Sequence, residues 1–397
     1  MTTLKLIRRL AFVASAAVTA ISAHAQDIKL GFNGDLSASP SAQSGAAGVL
    51  GIQAAIADIN AHGGVLGRKL VLVVRDDQSE PPKSTQNMID LIDNEKVVAV
   101  LGPTNSGNAM AWKRIPNQKK VISMGMVGAG TDITKPMSPG ADNYMFRVSM
   151  IDREQIVGLM AYAKKAGFKK VGFMIETTGF GQGGLRDMED VAKLQGITPA
   201  GTERFSVNDT DMSSQLSKFK SDGIDAIVVW AQGTPTGQLM RSMEKINYFP
   251  AVLSSWAADN ITFYDAAGKA LAEKPIFMRS MVNPETPAQK ALYERVKDKL
   301  AASSAFPFTV HGYDAVLLLA AAINQAGTTD GPQVRAALED LHAPVQGVMK
   351  TYDKPFSKTQ HEALTANDFV YVKWNDGKLE RNQDATIKSL TPADIKR

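Results

Sequence analysis

Residues 49–74, VLGIQAAIADINAHGGVLGRKLVLVV, predict a helix that is followed at once by a strand. Apolar residues recur at helical spacing from Val49 to Ile59, and a pair of glycines then ends the helix. The five residues that begin at Leu70 are all apolar, which is typical of a buried strand. The stretch therefore predicts part of a unit in which a helix connects parallel strands.

Short apolar strands alternate with helical stretches along the rest of the chain. Further strands are predicted at 28–32, 97–101, 171–175, 224–230 and 251–254, and further helices at 88–92 and 156–165. This alternation predicts an α/β fold, with parallel sheets covered by helices on both faces. Each strand leads into a loop of Gly, Ser, Thr or Asn, and ligands of open parallel sheets bind beyond the carboxyl ends of the strands.

The length of 397 residues exceeds what one hydrophobic core usually supports, so two lobes are expected. Three extended segments, Tyr144–Val148, Ile276–Val282 and Gln346–Tyr352, are predicted to cross between them. The resulting division assigns residues 26–145 plus 281–346 to lobe 1 and residues 146–280 plus 347–397 to lobe 2.

The N-terminus has the pattern of a cleavable export signal. Three basic residues precede the apolar stretch 10–21, and the small-x-small tripeptide Ala-His-Ala follows at 23–25. The chain contains no cysteine, so neither a lipid-modified N-terminus nor a disulfide is possible. We therefore expect a signal peptide at 1–25, a free periplasmic protein, and no further segment that spans a membrane.

The charge of the remaining chain is nearly balanced. Removal of the signal leaves 41 Lys and Arg residues against 40 Asp and Glu residues. The remaining chain has no basic run with interleaved aromatic residues, which argues against a nucleic-acid partner or an anionic membrane surface. A monomer that binds a small molecule is the simplest expectation.

Motifs along most of the chain indicate a known family. They are ADINAHGGVLGRKL (57–70), VVRDDQSEPPKS (73–84), VVAVLGPTNSG (97–107), YMFR (144–147), ETTGFGQGG (176–184), DTDMSSQLSKFK (209–220) and GYDAVLLLAAAI (312–323). In order and spacing they resemble the branched-chain amino-acid-binding family, the type I periplasmic solute-binding proteins of ABC transporters. The resemblance implies two Rossmann-like lobes joined by a three-segment hinge, ligand capture by hinge closure, and delivery to a membrane permease. It implies no enzymatic activity and no cofactor.

The same resemblance implies a set of ligand-binding residues from both lobes. In lobe 1 these are Ser37, Ala38, Ser44, Asn105, Ser106, Gly125, Met126, Val127 and Tyr313. In lobe 2 they are Phe180, Gln232 and Trp256. Hydroxyl and backbone N–H groups around Ser106, at a predicted helix start, suit a carboxylate.

One departure from the family bears on the ligand. Amino-acid binders of this family place an acidic side chain where Trp256 falls, because a buried ammonium group needs a paired carboxylate. Trp256 offers instead an aromatic face, as do Phe180 and Tyr313, which favours an aromatic carboxylate. Asp259 is close enough in sequence to replace the missing acid, so a hydrophobic or branched-chain amino acid stays open as the alternative.

One motif of the chain is shared with a class of enzymes. Residues 179–184, GFGQGG, match the G-x-G-x-x-G pattern of a dinucleotide-dependent oxidoreductase, with Glu203 about twenty residues further on. Three residues separate the strand from the first glycine, however, where that fingerprint needs a tight turn. The histidines lack the spacing of metal ligands, and the pair Asp76-Asp77 is interpreted as a solvated strand end, so no catalytic or metal-binding residue is predicted. A ligand-sensing receptor domain would use the same closure and stays open.

Overall fold

The structure is a computed structural model that describes residues 26–395. The predicted signal peptide at 1–25 lies outside the described residues. A five-stranded sheet and four helices come first: β1 (Ile28–Gly34), α1 (Ala42–Ala61), β2 (Leu70–Asp76), α2 (Pro81–Ile89, extended by a π-helical turn at Asp90–Asn94), β3 (Ala99–Leu101), α3 (Ser106–Trp112), α4 (Arg114–Lys119), β4 (Ile122–Gly125) and β5 (Met145–Arg147). All strands are parallel, in the order β2-β1-β3-β4-β5.

A second parallel sheet follows along the chain. Its elements are α5 (Asp152–Ala166), β6 (Val171–Glu176), α6 (Gly179–Gln195), β7 (Gly201–Phe205), α7 (Ser213–Ser221), β8 (Ala226–Trp230), α8 (Gly233–Lys245), β9 (Ala251–Ser254), α9 (Ile261–Ala267) and α10 (Lys269–Ala272), with a 3-10 turn at Trp256–Asp259. The strand order is β7-β6-β8-β9. All five residues of β8 are buried and apolar, as expected for a central strand with helices on both faces.

The remaining elements return to both sheets. They are β10 (Phe277–Arg279), α11 (Pro287–Val296), α12 (Phe306–Ala326), α13 (Gly331–Glu339), β11 (Val345–Gln346), β12 (Thr351–Tyr352), β13 (Val370–Asn375), β14 (Lys378–Arg381) and α14 (Ala385–Lys388). Strands β10, β13 and β14 form an antiparallel sheet, and Ile276 extends the second parallel sheet by a bridge to Leu253. We call the first sheet with α11–α13 lobe 1, and the second sheet with β10, β13 and β14 lobe 2.

Helix α12 is the central helix of lobe 1 and packs closely along α1. A Cβ atom on Gly51 would lie 1.9 Å from the carbonyl oxygen of Thr309, so the two backbones touch there. Helix α12 and the turn before it, Ser303–Ala326, are the one helical stretch of the described chain that is long and apolar enough to cross a membrane. The expectation that no segment after the signal is long and apolar enough to cross a membrane was therefore wrong. The helix is apolar because it forms the core of lobe 1, where 83% of its apolar window is buried.

The predicted fold class, two parallel-sheet α/β lobes, is confirmed. The third predicted crossing differs from the structure, because Gln346–Tyr352 forms the β11–β12 hairpin on α12. Asp314 of α12 holds this hairpin by accepting hydrogen bonds from the N–H groups of Val348 (2.7 Å) and Met349 (2.8 Å) and from the Tyr352 hydroxyl (2.9 Å). The chain passes to lobe 2 only after the hairpin and before β13.

A buried ion pair joins two of the crossing segments. Arg147, fully buried at the end of β5, donates to both carboxylate oxygens of Glu362 at 2.6 and 2.7 Å. Its Nη1 also donates to the carbonyl oxygens of Gly128 and Gly130, both at 3.0 Å. This Arg147–Glu362 clamp therefore fixes the loop after β4 and the C-terminal crossing to the same edge of lobe 1.

Candidate ligand-binding cleft

A cavity lies between the carboxyl-terminal edges of the two parallel sheets. Loops from both lobes line it, as expected for ligand sites of open parallel sheets. The lobe 1 residues are Pro40, Ser41, Ser44, Thr104, Asn105, Ser106, Val127, Gly128, Ala129 and Phe308, and the lobe 2 residues are Phe180, Gln232, Gly233, Trp256, Ala257, Asp259 and Asn260.

The lobe 1 wall is lined by small polar side chains. Ser106 begins α3, and its Oγ accepts a hydrogen bond of 3.1 Å from the N–H of Gly130. Asn105 is held by Ser41, whose hydroxyl donates to Oδ1 at 3.0 Å, and Nδ2 donates to the Ser79 hydroxyl at 2.7 Å. The Asn105 side chain therefore already makes hydrogen bonds within lobe 1, whereas the Ser106 hydroxyl can still donate its proton to a ligand.

Three aromatic rings supply the apolar part of the cavity. Trp256 of lobe 2 lies against Phe308 of lobe 1, with ring centroids 5.0 Å apart and a tilt of 53°. The backbone N–H of Trp256 donates to Gln155 Oε1 at 3.0 Å, which fixes the start of its 3-10 turn. Phe180 packs against Trp230 at 6.0 Å. These contacts give the cavity aromatic surfaces from both lobes.

Gln232 brings a buried carboxyl group near the lobe 2 wall. Its backbone N–H donates to Glu176 Oε2 at 2.8 Å, and its Nε2 lies 3.3 Å from Oε1. Burial raises the pKa of Glu176, and the hydrogen bonds from Thr178 and Gln232 oppose that shift. Glu176 thus stands behind Gln232 and is hydrogen-bonded by protein groups.

Asp259 and Arg279 form a buried ion pair beside the cavity. Each residue is 1% exposed, and Arg279 Nε lies 3.6 Å from Asp259 Oδ2. Within the described part of the chain, neither Oδ2 nor Nε and Nη1 of Arg279 makes a hydrogen bond. Burial raises the pKa of Asp259 to about 7, against the opposing charge of Arg279. Arg279 Nη2 donates to the carbonyl oxygen of Ser304 in lobe 1 at 2.9 Å.

The two lobes touch at the rim of this cavity. A Cβ atom on Gly179 of α6 would lie 2.6 Å from the Cα of Gly107 in α3, so backbone meets backbone there. Asn260 of lobe 2 donates to the carbonyl oxygen of Pro40 at 3.1 Å and accepts a hydrogen bond from Gln43 of α1. The lobes therefore adopt a closed arrangement around the cavity.

A model of the family described as periplasmic binding protein matches residues 27–378, which is most of the chain. The chain belongs to the periplasmic binding protein family. Among its relatives, "Leu/Ile/Val-binding protein homolog 3" of Brucella melitensis is 28% identical over 378 residues, which cover 95% of this chain and 98% of that protein. The resemblance to branched-chain amino-acid-binding proteins is thereby confirmed, and the relatives are named as binding proteins rather than as enzymes.

Solved structures of other periplasmic binding proteins share the two-lobed fold. A type 1 periplasmic binding protein from Bordetella pertussis Tohama I superimposes with a TM-score of 0.79 at 23% identity, covering 90% of this chain and all of that chain. A solute-binding protein of an ABC transporter from R. palustris, solved in complex with 4-hydroxybenzoate, gives a TM-score of 0.73 at 22% identity, covering 90% and 96%.

Seven of the twelve predicted ligand contacts line the cavity of this periplasmic binding protein. They are Ser44, Asn105, Ser106, Val127, Phe180, Gln232 and Trp256. The other five, Ser37, Ala38, Gly125, Met126 and Tyr313, lie outside the cavity lining. Contact with ligand stays a prediction for the seven.

Hydrogen bonds and packing explain why the five lie elsewhere. Ser37 donates to Asp76 at 2.6 Å, and the N–H of Ala38 donates to Asp35 at 2.9 Å, so both belong to the turn after β1. Gly125 ends β4, and the side chain of Met126 is buried against α1 at Gly48. The Tyr313 hydroxyl donates to Asp58 of α1 at 2.7 Å.

The sequence prediction missed several lining residues, of which Phe308 is the most informative. It lies on α12 five residues before Tyr313, which is roughly 140° around the helix. The helical register therefore places Phe308 toward the cleft when Tyr313 points toward α1. Thr104 and Asn260 were missed beside Asn105 and Trp256, although both follow strand ends of the kind that the fold uses for binding.

The glycine-rich motif at 179–184 has a packing role. A Cβ atom on Gly184 would lie 2.0 Å from the Trp230 ring, and Gly179 forms the contact with lobe 1. Close packing therefore explains why glycine occupies positions 179 and 184, without a dinucleotide-binding role. The interpretation of Asp76-Asp77 as a solvated strand end was wrong for Asp77, which is fully buried and accepts a 2.8 Å hydrogen bond from Asn108.

Proposed function

We propose that this protein is the periplasmic substrate-binding component of an ABC importer and captures a small carboxylate-bearing ligand, preferably an aromatic acid. In this proposal a signal peptide at residues 1–25 directs export, and the free, monomeric protein binds its ligand by closure of the two lobes. The closed form then delivers the ligand to a membrane permease.

The observation that carries the ligand class is the make-up of the cavity wall. The resemblance to the family places Trp256 where its amino-acid binders have an acid, and the Trp256 ring packs against Phe308. Asp259 is the single ionisable residue in the cavity lining of the described chain, and Arg279 already balances its charge. Aromatic rings would contact the faces of a flat ligand, while Ser106 and its neighbours in lobe 1 donate hydrogen bonds to the carboxylate.

A hydrophobic amino acid is the second candidate, and two observations favour it. Asp259 lines the cavity and could pair with an α-ammonium group. The relative from Brucella is named for leucine, isoleucine and valine. For this ligand to bind, the Asp259 carboxylate would have to form ion pairs with the ammonium group and with Arg279 at the same time.

A thermal-shift panel separates the two candidates. Benzoate, 4-hydroxybenzoate, leucine, isoleucine and valine would each be titrated against the protein after removal of residues 1–25. A ligand at 100 times its Kd should add about 2.7 kcal/mol to the free energy of unfolding. The proposal predicts larger shifts with the aromatic acids. Stabilisation by the aliphatic amino acids alone would refute the aromatic assignment and leave the binding-protein role intact.

A further inference from the structure

The Asp259–Arg279 pair raises a problem of charge for any anionic ligand. If the proposed function holds, a ligand carboxylate enters a closed cavity in which Asp259 is the lining acid. Arg279 is the cation beside it, at 3.6 Å from Asp259 Oδ2. Two carboxylates and one guanidinium leave one negative charge uncompensated, and burial of an unpaired charge costs far more than protonation of the group that carries it.

We propose that Asp259 is the specificity-determining residue of the cleft, and that it takes up one proton from solvent when a carboxylate ligand is captured. The ligand carboxylate and Arg279 then balance each other's charge. The protonated Asp259 carboxyl group gains an O–H donor, which it can offer to an oxygen of the ligand. This inference rests on the proposed function and extends it to the class of monoanionic ligands.

The geometry supports this role for Asp259. Asp259 lines the cavity, and its Oδ2 is buried and accepts no hydrogen bond from the described residues, so the carboxyl group has capacity left for a ligand group. Lobe 1 contributes Ser106 to the same cavity. The cavity therefore has polar groups from both lobes, together with the rings of Trp256 and Phe308.

The surroundings of Asp259 identify it as the group that changes charge. Strand β10 contributes Arg279, while the starts of α8 and α9 contribute the uncharged Gly233 and Asn260 to the same cavity. Across the cleft, α12 contributes Phe308 and the fully buried His311, whose pKa burial lowers to about 4. His311 is therefore neutral near pH 7. Glu176 is a second acid close to the cavity, and Gln232 donates hydrogen bonds to it.

Proton uptake can be counted directly by isothermal titration calorimetry. Benzoate would be titrated at pH 8 in two buffers of different ionisation enthalpy, and the difference in binding enthalpy gives the protons taken up per ligand. Because the pKa of free Asp259 is about 7, we expect about one proton at pH 8, almost none at pH 5.5, and roughly tenfold weaker binding at pH 8 than at pH 6. Leucine, a zwitterion, should bring no such uptake if it binds.

Two variants test the assignment to Asp259. Asp259→Asn keeps a hydrogen-bond donor and cannot titrate, so benzoate should bind at pH 8 at least about tenfold more tightly than to the wild type, without proton uptake. Glu176→Gln removes the neighbouring acid and should retain the uptake of the wild type. The wild-type pH series tests the proton uptake itself even if a variant fails to fold, because absence of uptake at pH 8 would overturn the inference.

The outcomes separate this inference from the proposed function. Benzoate binding without proton uptake at pH 8, or uptake that persists in Asp259→Asn, would overturn the role of Asp259 and leave the aromatic-acid binder standing. Loss of the uptake in Glu176→Gln would transfer the role to Glu176 and equally overturn the inference. Failure of both benzoate and 4-hydroxybenzoate to bind would overturn the aromatic-acid proposal and this inference together.

Discussion

The contact between Gly107 and Gly179 makes the closed state sensitive to a single methyl group. In Gly179→Ala the new Cβ would lie 2.6 Å from the Cα of Gly107, whereas non-bonded carbon atoms prefer about 3.5–4.0 Å. The Cα of Gly107 is a backbone atom, and the new Cβ is attached rigidly to the backbone of α6, so rotation of a side chain cannot relieve the clash. The lobes must separate by about 1 Å at this point, and overpacking of this kind typically costs about 1–3 kcal/mol.

The cost falls on the closed state alone, because the contact joins the two lobes. A closed state destabilised by about 1–3 kcal/mol lowers the apparent affinity by roughly 5-fold to 150-fold. The ligand-free protein should be no less stable, since alanine favours helices over glycine by up to about 1 kcal/mol. Calorimetry with benzoate measures the affinity, urea unfolding of the ligand-free protein measures stability, and small-angle scattering with saturating ligand measures compaction.

Gly183→Ala is the matched control in the same helix. A Cβ atom there would meet only the flexible end of Arg186, at 3.8 Å, so affinity and compaction should stay as in the wild type. Equal affinities for Gly179→Ala and the wild type would show that ligand capture does not bring α3 and α6 together. A parallel loss in Gly183→Ala would assign the effect to helix α6 rather than to the contact.

Three further predictions concern the ion pair, the hairpin and the aromatic wall. Arg279→Met leaves a buried Asp259 carboxylate without a counter-charge and should lower the free energy of urea unfolding by about 3–5 kcal/mol at pH 8, and by less at pH 5.5, where Asp259 is protonated. Burial raises the pKa of Asp314 from 3.8 to about 6, so native Asp314 keeps a proton that the unfolded chain releases, and its contribution to stability is lost as pH rises from 4 to 6. From pH 4 to pH 6, the free energy of unfolding of Asp314→Asn should therefore rise relative to that of the wild type, by up to about 1.4 kcal/mol per pH unit. A difference between the two proteins that does not change with pH would contradict the raised pKa of Asp314. Trp256→Ala should weaken benzoate binding by about tenfold or more through loss of ring contact, whereas Tyr313→Phe should leave it nearly unchanged, and the reverse ranking in calorimetry would show that the ligand lies elsewhere.

Local patterns were sufficient to predict six of the nine parallel strands within residues 26–395, whereas β4 and β7 were not predicted and β5 was assigned to a crossing. β6 and β9 begin where the apolar runs begin, because burial on both faces leaves a continuous hydrophobic signal of strand length. β2 also begins at its apolar run, although it is an edge strand and most of its residues are only partly buried. The hairpin at residues 345–352 was misassigned as a crossing, since its position depends on Asp314, more than thirty residues earlier in the chain. A tertiary hydrogen bond of this kind leaves no local trace in the sequence.

The candidate site was predictable to the level of loops but less well to the level of side chains. Ser106, Gln232 and Trp256 follow strand ends and line the cavity, because strand ends of parallel sheets converge. Tyr313 and Met126 were placed on the correct elements but point away from the cavity, toward α1. Which face of an element turns toward the cleft depends on helix packing, and close approaches of α1 and α12 at glycines fix it here.

The Arg147–Glu362 clamp restricts how the two lobes can open. It ties two of the three connecting segments to one edge of lobe 1. If the lobes open and close around ligand as proposed, these two segments should move together, and lobe 2 should rotate about them. The same guanidinium grips the carbonyl oxygens of Gly128 and Gly130, one of which borders the cavity. In the proposed closure, lobe 2 would therefore return its aromatic residues to the same position against a fixed lobe 1 loop, and the site would keep a reproducible shape for discriminating between flat and branched ligands.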